Sequence, residues 1–213
     1  MAISFVQVSC SVFGIRSEEN PKYQVLSQSD DKEIRSYSPY VIAKTVVKGD
    51  FKEAQGHAFR ILAGYIFGDN AKKQSISMTA PVLQSKPSES EKISMTAPVV
   101  QTQSGDGWQM SFMMPSKYKI SDLPAPNDNR VHFEEVPAKI VGVIRYSGRG
   151  LPSTNAEKAE DLKNWIVTDG KYEIVSSVSY AGYDPPWTIP IFRKNEMMYE
   201  LKASGHPVEA DTK

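Results

Sequence analysis

The chain has 213 residues, of which 40% are hydrophobic and 23% are charged. This balance is typical of a globular protein with a buried core, and it excludes collagen-like, coiled-coil and fully disordered chains. Lys and Arg together number 25, as do Asp and Glu, so the formal net charge is zero. A neutral chain lacks the basic surplus that attracts nucleic acid, and no run of 18 apolar residues predicts a transmembrane helix.

Residues 1–20 are predicted to be an extension that precedes the folded domain. Residues 1–8 are mildly apolar but carry no Lys or Arg, which is not typical of a secretory signal. The sequence VSCS at residues 8–11 is similar to a bacterial lipoprotein cleavage site, in which Cys10 would carry the lipid. Two interpretations stay open: a soluble cytoplasmic protein, or an envelope lipoprotein whose true start lies upstream. Cys10 is the only cysteine, so the chain forms no intramolecular disulfide and no cysteine-rich zinc site.

The first half of the chain predicts strands on both sides of one helix. Three strand patterns are present, at residues 23–26, 32–37 and 40–47. Asp50 and Glu53 have the spacing of a capping box, which predicts a helix from residue 51 or 52 to 67. The face predicted to pack on the sheet repeats every four residues: Ala54, Ala58, Leu62 and Ile66.

A short segment, ISMTAPV, occurs twice, at residues 76–82 and 93–99. Residues 83–92 between the copies are rich in Ser, Lys and Glu and predict a solvated loop. The proline in each copy predicts an edge strand or a bulge rather than a central strand. A period of 17 residues that occurs only twice excludes a solenoid. A turn at residues 105–107 and a strand at 108–114 complete the first half.

The second half repeats the order of the first without repeating its letters. It predicts strands at residues 131–136, 139–146, 172–180 and 195–202, with a helix at about 153–167. We therefore predict an α+β fold in which two β-β-α-β-β halves share one antiparallel sheet or open barrel, with a helix on each half. The halves span about residues 21–120 and 128–203 of one domain, and 204–213 is a polar tail.

Sequence motifs of catalysis are missing from the chain. It contains no Gly-x-Ser-x-Gly elbow, no phosphate-binding loop and no Gly-x-Gly-x-x-Gly fingerprint. Glu134 and Glu135 are neighbours on a predicted strand and face opposite ways, so they do not form a two-carboxylate site. The histidines are His57, His132 and His206, too few and too scattered for a clustered metal site. We predict that the protein is not an enzyme.

Two features favour ligand binding. His57 lies on the first helix near Arg60, and it is either an exposed helix histidine or a haem ligand or propionate contact. Methionines are concentrated at Met78, Met95, Met110, Met113, Met114, Met197 and Met198. Most of these are predicted to fill the core, and a few to line a pocket for a flat, polarizable ligand.

Several segments, in this order, resemble the SOUL haem-binding protein family over about residues 23–201. They are MTAPV at Met78 and at Met95, FMMP at 112–115, EEVP at 134–137, AGYDPP at 181–186 and RKNE at 193–196. The doubled MTAP segment is similar to the bacterial branch of this family. The resemblance implies a distorted β barrel of two pseudo-symmetric halves flanked by two helices. It also implies non-catalytic binding of haem or a related tetrapyrrole in an apolar groove beside the first helix.

The resemblance assigns the groove to particular residues. The helix wall would be His57, Phe59, Arg60, Leu62, Ala63 and Ile66, and the facing loop would be Pro185, Pro186, Trp187 and Thr188. Arg60 would pair with a propionate, and His57 would be an axial ligand. Ser36 stands where some members carry a candidate ligand histidine, and Gly56 and Gly64 stand where others carry basic residues. Haem binding is therefore expected to be weak and reversible.

Other functions stay open beside haem binding. One is a binding module for another small amphipathic ligand, and another is an envelope lipoprotein whose role is interaction. No set of catalytic residues in the sequence supports an enzyme that acts on a tetrapyrrole.

Overall fold

The alternating segments of the sequence form ten strands, and the two amphipathic segments form two long helices, in the described part of the computed structural model. The structure describes residue 19 and residues 21–76, 82–85, 107–184 and 187–204, with backbone alone at 51, 52 and 82–85. The elements are β1 (Tyr23–Ser29), β2 (Lys32–Tyr37), β3 (Tyr40–Lys48), α1 (Phe51–Ile66), β4 (Val82–Ser85), β5 (Gly107–Met113), β6 (His132–Val136), β7 (Lys139–Tyr146), α2 (Pro152–Asp169), β8 (Tyr172–Ile174), β9 (Ser179–Gly182) and β10 (Asn195–Ala203). Two short 3₁₀ helices span Ile120–Asp122 and Pro190–Phe192.

Both long helices begin and end for local reasons. The backbone N–H of Glu53 donates to Asp50 Oδ1 at 3.1 Å, so Asp50 caps α1 as predicted. Gly68 follows α1 with a φ of 113°, a conformation that side chains disfavour. Helix α2 begins with Pro152, whose missing N–H costs nothing in a first turn, and Gly170 at φ 68° ends it.

The strands form one antiparallel sheet in the order β1-β2-β7-β10-β9-β4-β5-β3-β6, and β8 pairs with β10. Each strand from β2 to β6 in this order has a counterpart in the other half of the chain: β2 and β6, β3 and β7, β4 and β9, β5 and β10. When every strand is replaced by its counterpart, the same order is obtained, read from the other end. The sheet is therefore pseudo-symmetric about the β4–β9 pair. With β1 set aside, the first strand of each β-β-α-β-β unit pairs with the second strand of the other unit, β2 with β7 and β6 with β3.

The predicted α+β class is confirmed, but the distorted β barrel is not. The two strands at the ends of the order, β1 and β6, do not pair with each other in the described residues, so the sheet is open there. Strand β4 runs between β9 and β5, so the first copy of the repeated segment ends in a central strand and not at an edge. Residues 83–85, predicted to be loop, belong to this strand.

Other predictions meet the structure in part. Residues 172–180, predicted as one strand, form the two strands β8 and β9. The second copy of the repeated segment at 93–99 and the rest of the predicted loop, 86–92, lie outside the described residues. So do the lipidation candidate Cys10 and the last nine residues of the polar tail.

Both helices pack on the same face of the sheet. Helix α1 covers β3 and β5, burying Leu62 and Ile66 against Phe112, and α2 covers β7 and β10, burying Leu162 against Ile144. We call this the outer face. Strand alternation points the intervening side chains to the opposite inner face, where a third cluster forms. Its buried members are Tyr37, Val141, Val143, Ala181, Tyr183 and Met198.

Candidate functional site

Helix α1 has an apolar stripe on its solvent side as well as on its sheet side. Gly56, Phe59, Ala63 and Phe67 recur at spacings of three and four residues, so they share one face. The N–H of Phe67 donates to the Ala63 carbonyl at 2.9 Å, which continues the helical spacing past Ile66. We call these four residues the α1 stripe. Phe59 is 39% exposed and Phe67 is 67% exposed, so two aromatic rings project from this surface.

The α1 stripe is open at its first residue, Gly56. A Cβ atom added to Gly56 would meet nothing within 4 Å. Phe59 is held in place by the buried Phe112, with ring centroids 5.5 Å apart and planes at 62°. This edge-to-face packing fixes one side of the Phe59 ring and leaves the rest available to a ligand.

Three residues assigned to the helix wall are core residues, and one of them, Ala63, is the buried member of the α1 stripe. Leu62 and Ile66 are fully buried and Ala63 is 8% exposed, and all three belong to the cluster beneath α1. Leu62 and Ile66 face the sheet, so a ligand on the solvent side of α1 cannot reach them. The structure therefore separates them from Phe59 and Arg60, with which the sequence grouped them.

The predicted ligand His57 is already engaged in a hydrogen bond. Arg130 Nη1 lies 3.3 Å from His57 Nε2, and because a guanidinium only donates, Nε2 is the acceptor and the ring proton lies on Nδ1. Asp128 holds Arg130 through contacts of 2.9 Å to Nε and 2.6 Å to Nη2. These hydrogen bonds lower the pKa of Asp128 to about 2. An iron bond through Nε2 would require Arg130 to move aside.

Arg60 is exposed and forms no ion pair with another residue in the described ranges. It directly follows Phe59 on α1, so its side chain lies beside the α1 stripe. Arg60 therefore presents a cation beside an apolar surface, which suits an amphipathic anion.

The facing loop, which the sequence assigned to the other side of the groove, begins at the end of the sheet that the chain enters after α1. Gly182, the last residue of β9, pairs with Val82, the first residue of β4, so the loop after β9 starts where the chain coming from α1 enters the sheet. Trp187 in this loop is 65% exposed, while Thr188 is buried. Pro185 and Pro186 lie outside the described residues.

A cleft of about 280 Å³ opens near the start of β3 and the end of β5, and sequence reasoning missed it. Its apolar and aromatic lining includes Tyr40, Met113, Pro115 and Tyr118, and its charged lining is Glu19, Lys22, Lys119 and Glu135. A smaller pocket of about 40 Å³ on the inner face shares Pro21, Tyr40 and Met113 with it. The available signal was the neighbouring Met113 and Met114, since methionine was expected to line a pocket.

A buried ionic cluster lies on the inner face, and sequence reasoning missed this as well. Arg35 and Glu196 are both fully buried and form two hydrogen bonds, of 3.0 and 3.1 Å. Arg35 Nε also donates to Glu33 at 2.6 Å, and Glu196 accepts from Tyr183 and Lys194. Burial, the largest influence, disfavours the charge of Glu196, but Arg35 and Lys194 outweigh it, and the pKa of Glu196 lies below its usual value.

The charged side chains of this cluster are paired with one another. Every charged group in it has a partner of opposite charge, which is the arrangement of a structural network rather than of an open ligand site. In the described residues, no group of three or more His, Cys, Asp or Glu side chains is placed to hold a metal ion. No helix in the same residues is long and apolar enough to cross a membrane.

Comparison with known families identifies the class to which this fold and site belong. The model of the SOUL heme-binding protein family matches residues 18–90 and 83–200. The chain therefore belongs to the SOUL heme-binding protein family, as the sequence segments indicated, and this membership suggests haem or tetrapyrrole binding.

Curated relatives agree with this family. The chain is 27% identical over 201 residues to Heme-binding protein 1 of Xenopus tropicalis, covering 92% of this chain and 97% of that protein. It is 29% identical over 172 residues to Heme-binding protein 2 of Mus musculus, covering 80% of this chain and 78% of that protein. Both relatives are vertebrate proteins, so the comparisons do not support the bacterial branch expected from the doubled MTAP segment, nor the lipoprotein interpretation.

Solved structures share the fold at low sequence identity. An uncharacterized conserved protein from Listeria innocua aligns with a TM-score of 0.59 at 12% identity, over 81% of this chain and 92% of that chain. The C-terminal domain of EcmrR aligns with a TM-score of 0.57 at 13% identity, over 85% of this chain and 99% of that chain. These likenesses concern the fold alone.

Proposed function

We propose that this protein binds haem or a related tetrapyrrole reversibly on the solvent side of α1 and carries it without catalysing a reaction. Family membership supports the ligand class. The observation that carries the location is the α1 stripe, whose exposed rings Phe59 and Phe67 lie beside Arg60, a cation without an ion pair among the residues that the structure describes. Exposed apolar patches with polar rims mark binding surfaces.

Helix α2 offers an internal comparison, because it takes the equivalent place in the other half. Its exposed positions are mostly polar or charged: Glu157, Glu160, Asp161, Lys163 and Asn164. A helix that only covers this sheet can therefore have a polar solvent face. The apolar face of α1 is not a requirement of the fold, and ligand binding accounts for it.

Each residue of the α1 stripe has a role in this proposal. Phe59 and Phe67 supply aromatic surface, and Gly56 leaves the space beside Phe59 free. Arg60 pairs with a propionate through a charge-assisted hydrogen bond. Trp187 closes the site from the loop to which the family resemblance also assigns Pro185 and Pro186. Leu62 and Ile66 act only through the core beneath α1.

His57 has a conditional role. It can serve as an axial ligand when Arg130 releases Nε2, and otherwise it holds Arg130 near the site as a second cation. The iron of a bound haem accepts imidazole nitrogen as an axial ligand. A His57→Ala variant separates the two roles, because loss of an iron ligand changes the position of the Soret band, whereas loss of a neighbouring group changes affinity alone.

The test is a haemin titration followed by Soret absorbance. We expect a saturable one-to-one complex that Phe59→Ala and Arg60→Ala each weaken by about tenfold. Val167→Ala is the matched control, since Val167 is an exposed apolar residue, 65% accessible, on α2. Haemin dimethyl ester should bind the parent and the Arg60→Ala variant equally, because it has no free propionate.

The two parts of the proposal fail separately. No saturable binding of haemin would overturn the ligand class. Saturable binding that none of the α1 variants weakens would overturn the location and leave the ligand class standing.

A second candidate function is supported by the 280 Å³ cleft, which is near the lower limit of typical small-molecule sites. Its lining combines aromatic rings with two carboxylates and two ammonium groups, so it suits a small amphipathic ligand. A thermal-shift screen of lipids and amphipathic cations tests this function. A hit whose stabilisation disappears in Tyr118→Ala supports the cleft, and a hit that the variant leaves unchanged contradicts it.

A further inference from the structure

Two neighbouring loops at one end of the sheet present a concentrated set of exposed apolar side chains. The set is Leu151, Trp187, Ile189, Ile191 and Phe192, with exposed fractions of 52%, 65%, 38%, 70% and 43%. We call these residues the apolar tip. Leu151 precedes α2, and the other four lie between β9 and β10. Soluble proteins rarely expose so many large apolar side chains together without a binding role.

The apolar tip is an ordered structure. The N–H of Gly148 donates to the Pro190 carbonyl at 3.0 Å, and Asn195 Nδ2 donates to the Gly148 carbonyl at 3.0 Å, so the two loops are joined. Arg193 Nε donates to the carbonyl of Thr188 at 2.8 Å, and the side chain of Thr188 is buried. The exposed side chains are therefore held outward by a fixed backbone instead of being free to fold back.

Basic groups outnumber acidic ones around the apolar tip. Residues 145–155 and 184–195 contain Arg145, Arg149, Arg193 and Lys194 and one acidic residue, Asp184, whose Oδ2 accepts from the backbone N–H of Lys194 at 2.7 Å. Arg145 and Lys194 pair with the buried Glu196, so the rim cation that the proposal uses is Arg149, which is exposed and next but one to Leu151 in sequence. A partner of this surface must accept apolar side chains at its centre and supply negative charge at its edge.

We propose that the apolar tip inserts into the interfacial region of a lipid bilayer that contains anionic headgroups. Trp, Ile, Leu and Phe side chains enter the boundary between headgroups and acyl chains, and arginine at the rim attracts anionic lipid. A bilayer accepts such projecting side chains without a complementary pocket, whereas a protein partner would need one. The inference does not depend on haem binding, since Leu151 and Ile191 are outside the proposed haem site.

The test is flotation of the full chain, without added haem, with vesicles of phosphatidylcholine alone and of equal parts phosphatidylcholine and phosphatidylglycerol. We expect the protein to float with the mixed vesicles. The double variant Leu151→Asp and Ile191→Asp should lower the partition coefficient by about tenfold or more. Arg149→Ala should weaken binding to the mixed vesicles and reduce its sensitivity to added salt.

The matched control is the double variant Val167→Asp and Val175→Asp. These side chains are 65% and 57% exposed. Val167 lies roughly 24 Å from Leu151 along the axis of α2, at 1.5 Å per residue. The control introduces the same two charges outside the apolar tip, at Val167 in the last turn of α2 and at Val175 just after β8, so it should float like the parent.

Several outcomes would overturn the proposal. They are a parent that does not float, a tip variant that floats like the parent, and a control variant that loses binding equally. Size-exclusion chromatography without lipid adds one more: if the parent self-associates through the apolar tip and does not float, the surface is a protein contact. Haemin titration of the tip variant separates this test from the haem proposal, because its haem affinity should be unchanged.

A variant that fails to fold does not end the test. Thermal melting first checks that the tip variant retains the parent's melting temperature, as expected for side chains more than half exposed. If it does not, quenching by brominated lipid is measured in the parent and in Trp187→Phe. Quenching that the Phe variant loses supports insertion of the apolar tip, and quenching that is equally strong in both contradicts it.

Discussion

Arg35 and Glu196 are 161 positions apart in sequence, yet their side chains form a bidentate pair in which neither is exposed to solvent. Arg35 belongs to β2 and Glu196 to β10, and β7 runs between these strands. The pair therefore joins the first half of the chain to the last strand of the second half. Because the charges are fully desolvated, removing one partner leaves the other without compensation.

The first prediction concerns the stability that depends on this pair. Glu196→Gln keeps the shape of the side chain but removes its charge, so Arg35 remains buried without its main counter-ion. We expect the free energy of unfolding to fall by about 3–5 kcal/mol, measured by urea denaturation. The control is Lys163→Ala, which removes an exposed pair with Glu160 and should cost less than about 1 kcal/mol. Equal losses in the two variants would contradict the assignment.

The second prediction is a pH dependence with a definite sign. The pKa of Glu196 is lower in the folded chain than its usual value, so the unfolded chain takes up the proton first as pH falls. The stabilisation is complete above the unfolded pKa of about 4.3 and decreases as pH falls below it. Urea midpoints measured from neutral to acidic pH should drop in this range. The Glu196→Gln variant should show a shallower drop, and an identical pH profile would refute the prediction.

The third prediction distinguishes the two faces of α1. Leu62 is fully buried, so Leu62→Ala should lower the free energy of unfolding by about 2–5 kcal/mol and leave the haemin dissociation constant unchanged while the chain is folded. Phe59→Ala, which removes a half-exposed ring, should cost less stability and weaken haemin binding. Denaturation and Soret titration at low temperature measure both quantities. Weaker haemin binding in folded Leu62→Ala would place the ligand nearer the core than proposed.

The fourth prediction concerns the close packing of α2 on β7. A Cβ atom at Gly142 would lie 2.7 Å from Ile166 Cδ1 and 3.2 Å from Leu201 Cδ1, so glycine is required by space. Gly142→Ala should lower the free energy of unfolding by about 1–3 kcal/mol. Ile166→Val removes the atom in closest contact, so its cost should be smaller in the Gly142→Ala background than in the parent. Additive costs in this double-mutant cycle would show that the contact relaxes elsewhere.

Much of the fold could be predicted from the sequence because its signals are local. The cap at Asp50, the stop at Gly68 and the strand at residues 32–37 each involve a few neighbouring residues, and each is present in the structure. The central position of β4 was not predictable in this way. The proline of its segment argued for an edge, but the strand begins only at Val82, after the proline.

The candidate site shows the same division. The four-residue repeat correctly placed Leu62 and Ile66 against the sheet, whereas the family resemblance grouped them with Phe59, which faces solvent. The partnership of His57 with Arg130 across 73 positions had no signal in either segment. The exposed Phe67 could have been found, because it continues the spacing of Phe59 and Ala63.

By itself the sequence determined where helices and strands form, that the two halves share one plan, and which family the chain belongs to. Backbone preferences, caps and short motifs act over a few residues, so they are readable without the fold. Only the tertiary structure decided that β2 pairs with β7 and β6 with β3, each across the two halves of the chain. It also decided that β1 and β6 do not pair in the described residues and that Arg35 contacts Glu196. These outcomes depend on which of many similar strands pair and in what register, and that choice is made by the burial of whole faces.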